Sequence, residues 1–340
     1  MLKLYTDTKF LTEANRKKVF PLLFDIWFLK SETLKDYYML VDDAAECDIV
    51  VFPIDYASFL KYKSALNYLL QLSKVCNKPI WLYTSGDYGF TVHIPNSFTF
   101  RLGGFHSKMH TNTYVLPSFV NDPYQNVLTV PIAFLDTQEK PSIGFVGHAN
   151  SGVKKYVTEL WLYIKYMIKR RTGKILADYQ AFYPSSIKRK AYLSKLKAST
   201  HLNCNFIYRQ QYRAAVKTQE DVLLTSKVFY DNIYANIYTF CMRGVGNFSV
   251  RFYETLAVGR IPILLDTDCR LPLDNIITWK KHILVLHSNS SKTLAEQIQN
   301  FHHSKTNNQI RKIQESNRNL WLNYLSRVPY FIHIHNFHTL

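Results

Sequence analysis

The feature that most constrains the fold is a run two-thirds of the way along the chain, residues 238–265. Tyr238-Thr239-Phe240-Cys241 is apolar and strand-like, Gly244 and Gly246 mark a turn, and Ser249 stands where a helix N-cap belongs. Residues 250–258 then predict a helix, Gly259 ends it, and Ile261-Pro262-Ile263-Leu264-Leu265 predicts a buried strand. Strand, glycine turn, capped helix and second strand form a layout that turns backbone N–H groups and a helix N-terminus toward an anion, which points to a phosphate-bearing ligand.

The positions of the arginines sharpen this. Arg251 falls in the first turn of the predicted helix, where the macrodipole disfavours a cation, and an anion at that spot removes the conflict. Arg243 leaves the preceding strand just before the turn, so two guanidiniums and several amides converge on one pyrophosphate. Glu254, one helical turn deeper on the same face as Arg251, is placed to accept hydrogen bonds from ribose hydroxyls. The plainer alternative is a surface i,i+3 pair of Arg251 and Glu254, with the two glycines merely shaping a loop.

The run R-G-x-G-N-x-S-x-R-F-Y-E-T-L-A-x-G-R-I-P, residues 243–262, resembles the signature of the exostosin-like glycosyltransferases, an inverting family that includes heparan-sulfate and plant cell-wall enzymes. Asn205-Phe206-Ile207-Tyr208-Arg209, Phe229-Tyr230-Asp231-Asn232 and Asp266-Thr267-Asp268-Cys269-Arg270-Leu271-Pro272 fit the same resemblance, which covers residues 200–290. Toward the N-terminus it thins to Asp48-Ile49-Val50-Val51-Phe52-Pro53 and Ser85-Gly86-Asp87. The resemblance implies an α/β chain of GT-B-like architecture, two Rossmann-like domains facing each other across a cleft. It implies that Arg243, Ser249 and Arg251 bind the donor's diphosphate and Glu254 its ribose, with Gly244, Gly246, Asn247 and Arg209 on the same donor side.

At 340 residues the chain is long enough for two domains with separate cores, and its apolar content of 47% with 24 Tyr and 22 Phe excludes a disordered chain. Strands are predicted at 3–5, 48–52, 79–83 and 97–102, a helix over 59–70, and further strands at 261–265 and 283–286. Such alternation implies parallel sheets with helices on both faces. The polar, proline-terminated stretch at 136–141 marks the boundary between an acceptor-side domain, 1–138, and a nucleotide-sugar domain, 139–320. A tail, 321–340, would pack back on the first domain. Ser142-Ile143-Gly144-Phe145-Val146-Gly147-His148 opens the second domain as a strand and glycine turn without G-x-G-x-x-G spacing, so no nicotinamide or flavin fingerprint is present. It suggests that Gly147 and His148 line the cleft, though His148 also fits an ordinary loop histidine.

Asp266-Thr267-Asp268 is the D-x-D with which GT-A enzymes hold a divalent cation. Here it follows the arginine motif, so the expectation is a pair of turn residues, with no metal or other cofactor required and a nucleotide-diphosphate sugar as co-substrate. Inverting transfer needs a base from the opposite domain. Asp87, in Ser85-Gly86-Asp87-Tyr88-Gly89 after a predicted strand, is the first candidate, a loop-capping turn aspartate its alternative, and His93, His106 and His148 the reserves. His106 and His110 have the i,i+4 spacing of a metal pair, but their neighbours Arg101, Gly103, Gly104 and Lys108 fit a cleft loop equally well. The last residues, 331–338, alternate like a strand, which would put His333 and His335 on one face without Cys, Asp or Glu nearby to complete a metal site.

The formal net charge is +17 and it is concentrated, since residues 151–213 hold fourteen Lys and Arg against Glu159 and Asp178. No helix-turn-helix, zinc or RNP pattern accompanies it, so the expected partner is an anionic membrane face or glycan rather than nucleic acid, with a solvated face as the alternative. In that reading the helix at 153–168 packs its apolar stripe inward. Five scattered cysteines, no apolar h-region and no 18-residue apolar span lead to the expectation of a cytoplasmic protein, peripheral at the inner membrane face, working in polysaccharide biosynthesis. The functional expectation is an inverting, metal-independent glycosyltransferase acting on a glycan or glycolipid hydroxyl. Its alternatives are a non-catalytic nucleotide- or glycan-binding protein of the same fold and a metal-dependent D-x-D enzyme.

Overall fold

The computed structural model describes residues 1–209 and 218–339. Its first sheet contains β1 (Leu2–Tyr5), β2 (Tyr38–Leu40), β3 (Ile49–Val51), β4 (Ile80–Thr84), β5 (Ser97–Arg101) and β6 (Thr113–Val115), in spatial order β2-β1-β3-β4-β5-β6. Its second contains β7 (Ser142–His148), β8 (Asn203–Arg209), β9 (Tyr238–Cys241), β10 (Ile261–Leu265) and β11 (Leu284–Leu286), in order β11-β10-β9-β7-β8. Every pairing is parallel. In both sheets the first strand lies between the second and third, so the chain departs in opposite directions from β1 and β3, and again from β7 and β9. That reversal opens a crevice at the carboxyl ends of the two central strands.

Continuous apolar runs explain why the central strands are buried on both faces. Val50, Val51, Trp81, Leu82 and Phe100 belong to the first core, and Ile143, Phe145, Phe240, Ile263 and Leu286 to the second. The carboxyl ends of the two sheets face each other, because the loops after β4 and β5 meet those after β9 and β10. Phe105 bridges to Cys269, His106 N donates to Asp268 O at 2.8 Å, and the Asn247 amide donates to Gly104 O at 3.0 Å. The result is two Rossmann-like α/β units in a GT-B-like arrangement.

The chain returns to its first unit at the end. Helix Asn307–Leu320 passes through a wider π turn, Trp321–Leu325, into helix Arg327–Thr339. There Tyr330 Oη donates to Val115 O at 3.0 Å, Phe331 O accepts from Tyr38 Oη at 2.6 Å, and the Phe331 ring meets Phe20 in the first core. The strand expected at 331–338 is therefore a helix. Burial recurs at Tyr330, Phe331, Ile334 and His335, the helical period, because the apolar side needs to cover one stripe of an existing core. His333 stacks on Tyr324 at 4.3 Å while His335 packs on Tyr38 at 5.5 Å, so the two do not share a face.

A second correction concerns helix Val153–Arg171. Its apolar stripe was expected to pack inward, yet Val153, Tyr156, Val157, Ile164 and Ile168 of that stripe, and Trp161 beside them, are between 45% and 81% exposed. The inward face belongs to tyrosines. Tyr166 Oη donates to Asp178 O at 2.6 Å and its ring stacks on Tyr88 at 4.1 Å, while Tyr163 Oη donates to Gln180 O at 3.2 Å. Tyr166 buries its ring and Tyr163 is half-buried, and each also satisfies a carbonyl of the helix-free 174–184 segment, which an aliphatic side chain cannot do.

Candidate functional site

The crevice of the second sheet lies where β7 ends in Gly147-His148 and β9 runs into Met242-Arg243. Helix Val250–Val258 starts beside it, with Ser249 at the N-cap and Gly259 closing the helix at φ 77°. Arg251 reaches back from the first turn, donating from Nη2 to Val146 O at 2.8 Å with its guanidinium 4.3 Å over the Phe145 ring. A Cβ at position 147 would stand 2.7 Å from that Nη2, so Gly147 leaves the passage the arginine occupies. Arg243 donates to Gln180 Oε1 at 2.6 Å and Val245 O at 2.8 Å, and lies over the rings of Tyr183 at 4.6 Å and Phe105 at 5.1 Å. Arg189, from helix Ser185–Lys197, joins the two strand ends by donating to His148 O at 2.8 Å and Arg243 O at 3.2 Å. Arg209, at the end of β8, donates to Thr225 O at 2.6 Å.

These cations are poorly compensated. Burial pulls the guanidiniums of Arg243, Arg251 and Arg209 below their ordinary value, and brings Arg189 down to about 10, with repulsion from Arg251 adding to the effect. Glu254 and Glu159 offset part of this from a distance. Among the described residues, none of Arg189, Arg243 and Arg251 has a carboxylate within 4.0 Å. The Nε of each is buried without a hydrogen-bond partner among those residues. Holding like charges together with unused donors is costly, and an anion entering the crevice would reverse the sign of that cost. The hydroxyl of Ser249 makes no capping bond, which leaves a further donor at the helix N-terminus.

Two expected donor-side residues, Asn247 and Gly246, have other surroundings. Asn247 is buried, with Nδ2 donating to Gly104 O, Thr267 O and Asp268 O at 3.0, 2.9 and 3.0 Å and Oδ1 accepting from Thr267 Oγ1 at 2.7 Å. Its side-chain amide is engaged within its own unit and, through Gly104, with the other, so those hydrogen bonds are already made before any donor binds. Gly246 lies against the other unit, where an added Cβ would collide with the Asp87 carbonyl. Gly244, by contrast, opens onto free space. Glu254 sits half-buried one turn below Arg251, and His148 has Nδ1 3.2 Å from Ser186 Oγ.

Across the cleft, Asp87 brings its backbone carbonyl against Gly246 while its side chain is exposed. His93 and His110 meet ring to ring at 5.3 Å on the wall of a cavity of about 350 Å³, also lined by Thr99, Arg101 and Thr113. His106 belongs to a single 3-10 turn at the contact between units. Asp266 and Asp268 form a turn in which Asp268 N donates to Asp266 Oδ1 at 2.9 Å, and the Asp268 carboxylate accepts from Ser107 Oγ at 2.5 Å. Among the described residues, no group of three His, Cys, Asp or Glu side chains is placed to hold a metal ion.

Arg189, Gln180 and Tyr183 escaped the sequence reading. Arg189 sits within the basic Lys188-Arg189-Lys190 run, yet it shares the helix side of the buried Ser186, Leu193 and Leu196, and that register was a readable sign that it turns inward. Arg213, counted in the basic segment, lies outside the described residues.

No family model matches the chain. A stretch of 101 residues, 29% of this chain, is 30% identical to an Exostosin-1 homolog of Caenorhabditis elegans. The match spans 25% of that relative's length. Among solved structures, a glycosyltransferase from Rickettsia africae ESF-5 aligns with TM-score 0.39 and 13% identity over 99% of this chain and 98% of its own. An alpha1,3-fucosyltransferase aligns with TM-score 0.35 and 12% identity over 98% of this chain and 89% of its own. Likenesses of this size do not define a shared activity.

Proposed function

We propose that this protein is an inverting, metal-independent glycosyltransferase that moves a sugar from a nucleoside-diphosphate sugar to a glycan or glycolipid hydroxyl. The observation that carries the reading is the cluster of Arg189, Arg243 and Arg251 at the switch point of the second sheet, each with a buried Nε lacking a partner among the described residues. The diphosphate of the donor lies against these guanidiniums and the N-terminus of helix Val250–Val258, with Glu254 accepting from the ribose. The acceptor oxygen attacks the anomeric carbon, Asp87 takes its proton, and the bond between sugar and phosphate breaks with its electrons leaving on the nucleoside diphosphate. The arginines stabilise that leaving charge, the task a divalent cation performs in a D-x-D enzyme. Asp266 and Asp268 are engaged in their own turn and in the contact with Ser107, which favours the metal-free reading over the D-x-D alternative.

The test is a thermal-shift screen of nucleotide sugars, followed by donor hydrolysis and transfer assays in EDTA. A donor that raises Tm and is turned over by the wild type but not by Arg243→Ala supports the proposal. A donor that binds without turnover under every condition favours the non-catalytic binding protein, and no stabilisation by any nucleotide sugar refutes both.

A further inference from the structure

Helix Val153–Arg171 stands apart from the site chemistry. Val153, Val157, Trp161, Ile164 and Ile168 recur at helical spacing and form a single stripe, every member of it at least 48% exposed. Lys154, Lys165 and Lys169 run along one side of this stripe and Arg171 lies within it near the end, with Lys165 Nζ 5.0 Å from the Trp161 ring. The helix has one acidic residue, Glu159, and it turns inward with its carboxylate 3.6 Å from Lys155 and its side chain only 14% exposed. The exposed face therefore carries only apolar and cationic groups besides Thr158 and Thr172.

We propose that this helix docks the protein on an anionic lipid surface, lying in the interface with Trp161 and its aliphatic neighbours toward the acyl chains and the lysines among the headgroups. Nineteen residues make a helix of about 28 Å, and no helix of the described residues is long and apolar enough to cross a membrane, so the fit is to an in-plane helix. Charge decides between a bilayer and a second copy of this chain. A two-fold contact over the stripe would press Lys154, Lys165, Lys169 and Arg171 against the same residues of the partner, whereas an anionic membrane complements all of them. The convex stripe of one unaccompanied helix also suits a yielding lipid surface better than a grooved protein partner. Docking would set the cleft near the bilayer, since the helix begins five residues after His148. The inference does not depend on catalysis, so it is tested without donor or acceptor.

Full-length protein is co-sedimented with phosphatidylcholine vesicles, with and without phosphatidylglycerol. Two folded double variants are compared with it, Trp161→Glu/Ile164→Glu and Lys165→Glu/Lys169→Glu. Wild-type binding to the anionic vesicles should exceed that to neutral ones by at least about tenfold and weaken with added salt, and each double variant should lose on the order of tenfold or more. Because these side chains are exposed, unchanged Tm in both variants will separate lost docking from lost folding. Equal pelleting with both vesicle types, no pelleting at all, or loss in the lysine variant alone would each overturn the proposal. So would a wild-type dimer in sedimentation velocity that Trp161→Glu/Ile164→Glu converts to monomer.

Discussion

Arg251 occupies a position that helix electrostatics disfavours, and Gly147 is the residue that makes room for it. An alanine at 147 would bring its Cβ to 2.7 Å from Nη2, so Gly147→Ala is predicted to displace the guanidinium and weaken nucleoside-diphosphate binding, with circular dichroism unchanged. Calorimetric titration of the variant checks this, and wild-type affinity would exclude a role for the Arg251 position. Asp87 carries the opposite expectation. As a base it acts on the acceptor, so Asp87→Asn should keep donor affinity and lower single-turnover transfer by a factor on the order of 100 to 10,000. Near-wild-type turnover would move the search to His93, His106 and His148. Arg243, Arg251 and Gly147 were legible in the sequence because local spacing places each at a strand end or a helix start. The register of Arg189 showed that it turns inward, but its partners did not show, because His148 and Arg243 are 41 and 54 residues away.

At the scale of elements, the strand, turn and helix at 238–258 and the buried β10 follow from period and punctuation, which local sequence carries in full. The facing of helix Val153–Arg171 does not, since a stripe shows that one side is apolar without showing which side the tyrosines will claim. The final helix was misread for a related reason, as its alternation of aromatic and histidine residues fits two periods until the first core selects one. That helix brings Arg327 within 3.2 Å of Asp25, whose carboxyl is buried and pushed up to about 6 by desolvation despite the guanidinium. Below about pH 4 the carboxyl is protonated in both folded and unfolded chains. Between about pH 4 and pH 6 the unfolded chain releases its proton while the folded one retains it, so this group lowers stability as pH rises, by about 3 kcal/mol in all. Asp25→Asn should therefore be more stable than wild type above pH 6 and nearly equal to it at pH 4. Urea denaturation across that range measures the difference, and parallel pH profiles would contradict it.

For the whole molecule, alternation along the chain predicted two parallel-sheet units and a boundary just before β7. The way the units meet was not legible. Asn247 joins Gly104 and the Asp268 carboxylate joins Ser107 across 143 and 161 residues, contacts that no local pattern encodes. Asn247→Ala would leave the buried Gly104 carbonyl and the half-buried Thr267 carbonyl short of a donor and is predicted to cost about 1 to 3 kcal/mol, read as a lower urea midpoint. An unchanged midpoint would mean that the contact between units contributes little. Chelation tests the same architecture from its chemistry. Donor turnover should survive EDTA, while complete loss restored by manganese would shift the assignment to Asp266 and Asp268.

The central claim is that the arginine cluster at the β7 and β9 switch point binds the diphosphate of a nucleotide. Calorimetric titration of nucleoside diphosphates into wild type, Arg251→Ala and Glu254→Gln tests it most directly. Each variant, folded by circular dichroism, should lose about 1.5 to 3 kcal/mol of binding, the range for charge-assisted hydrogen bonds. Unchanged affinity in both variants, or no binding to the wild type, would contradict the account.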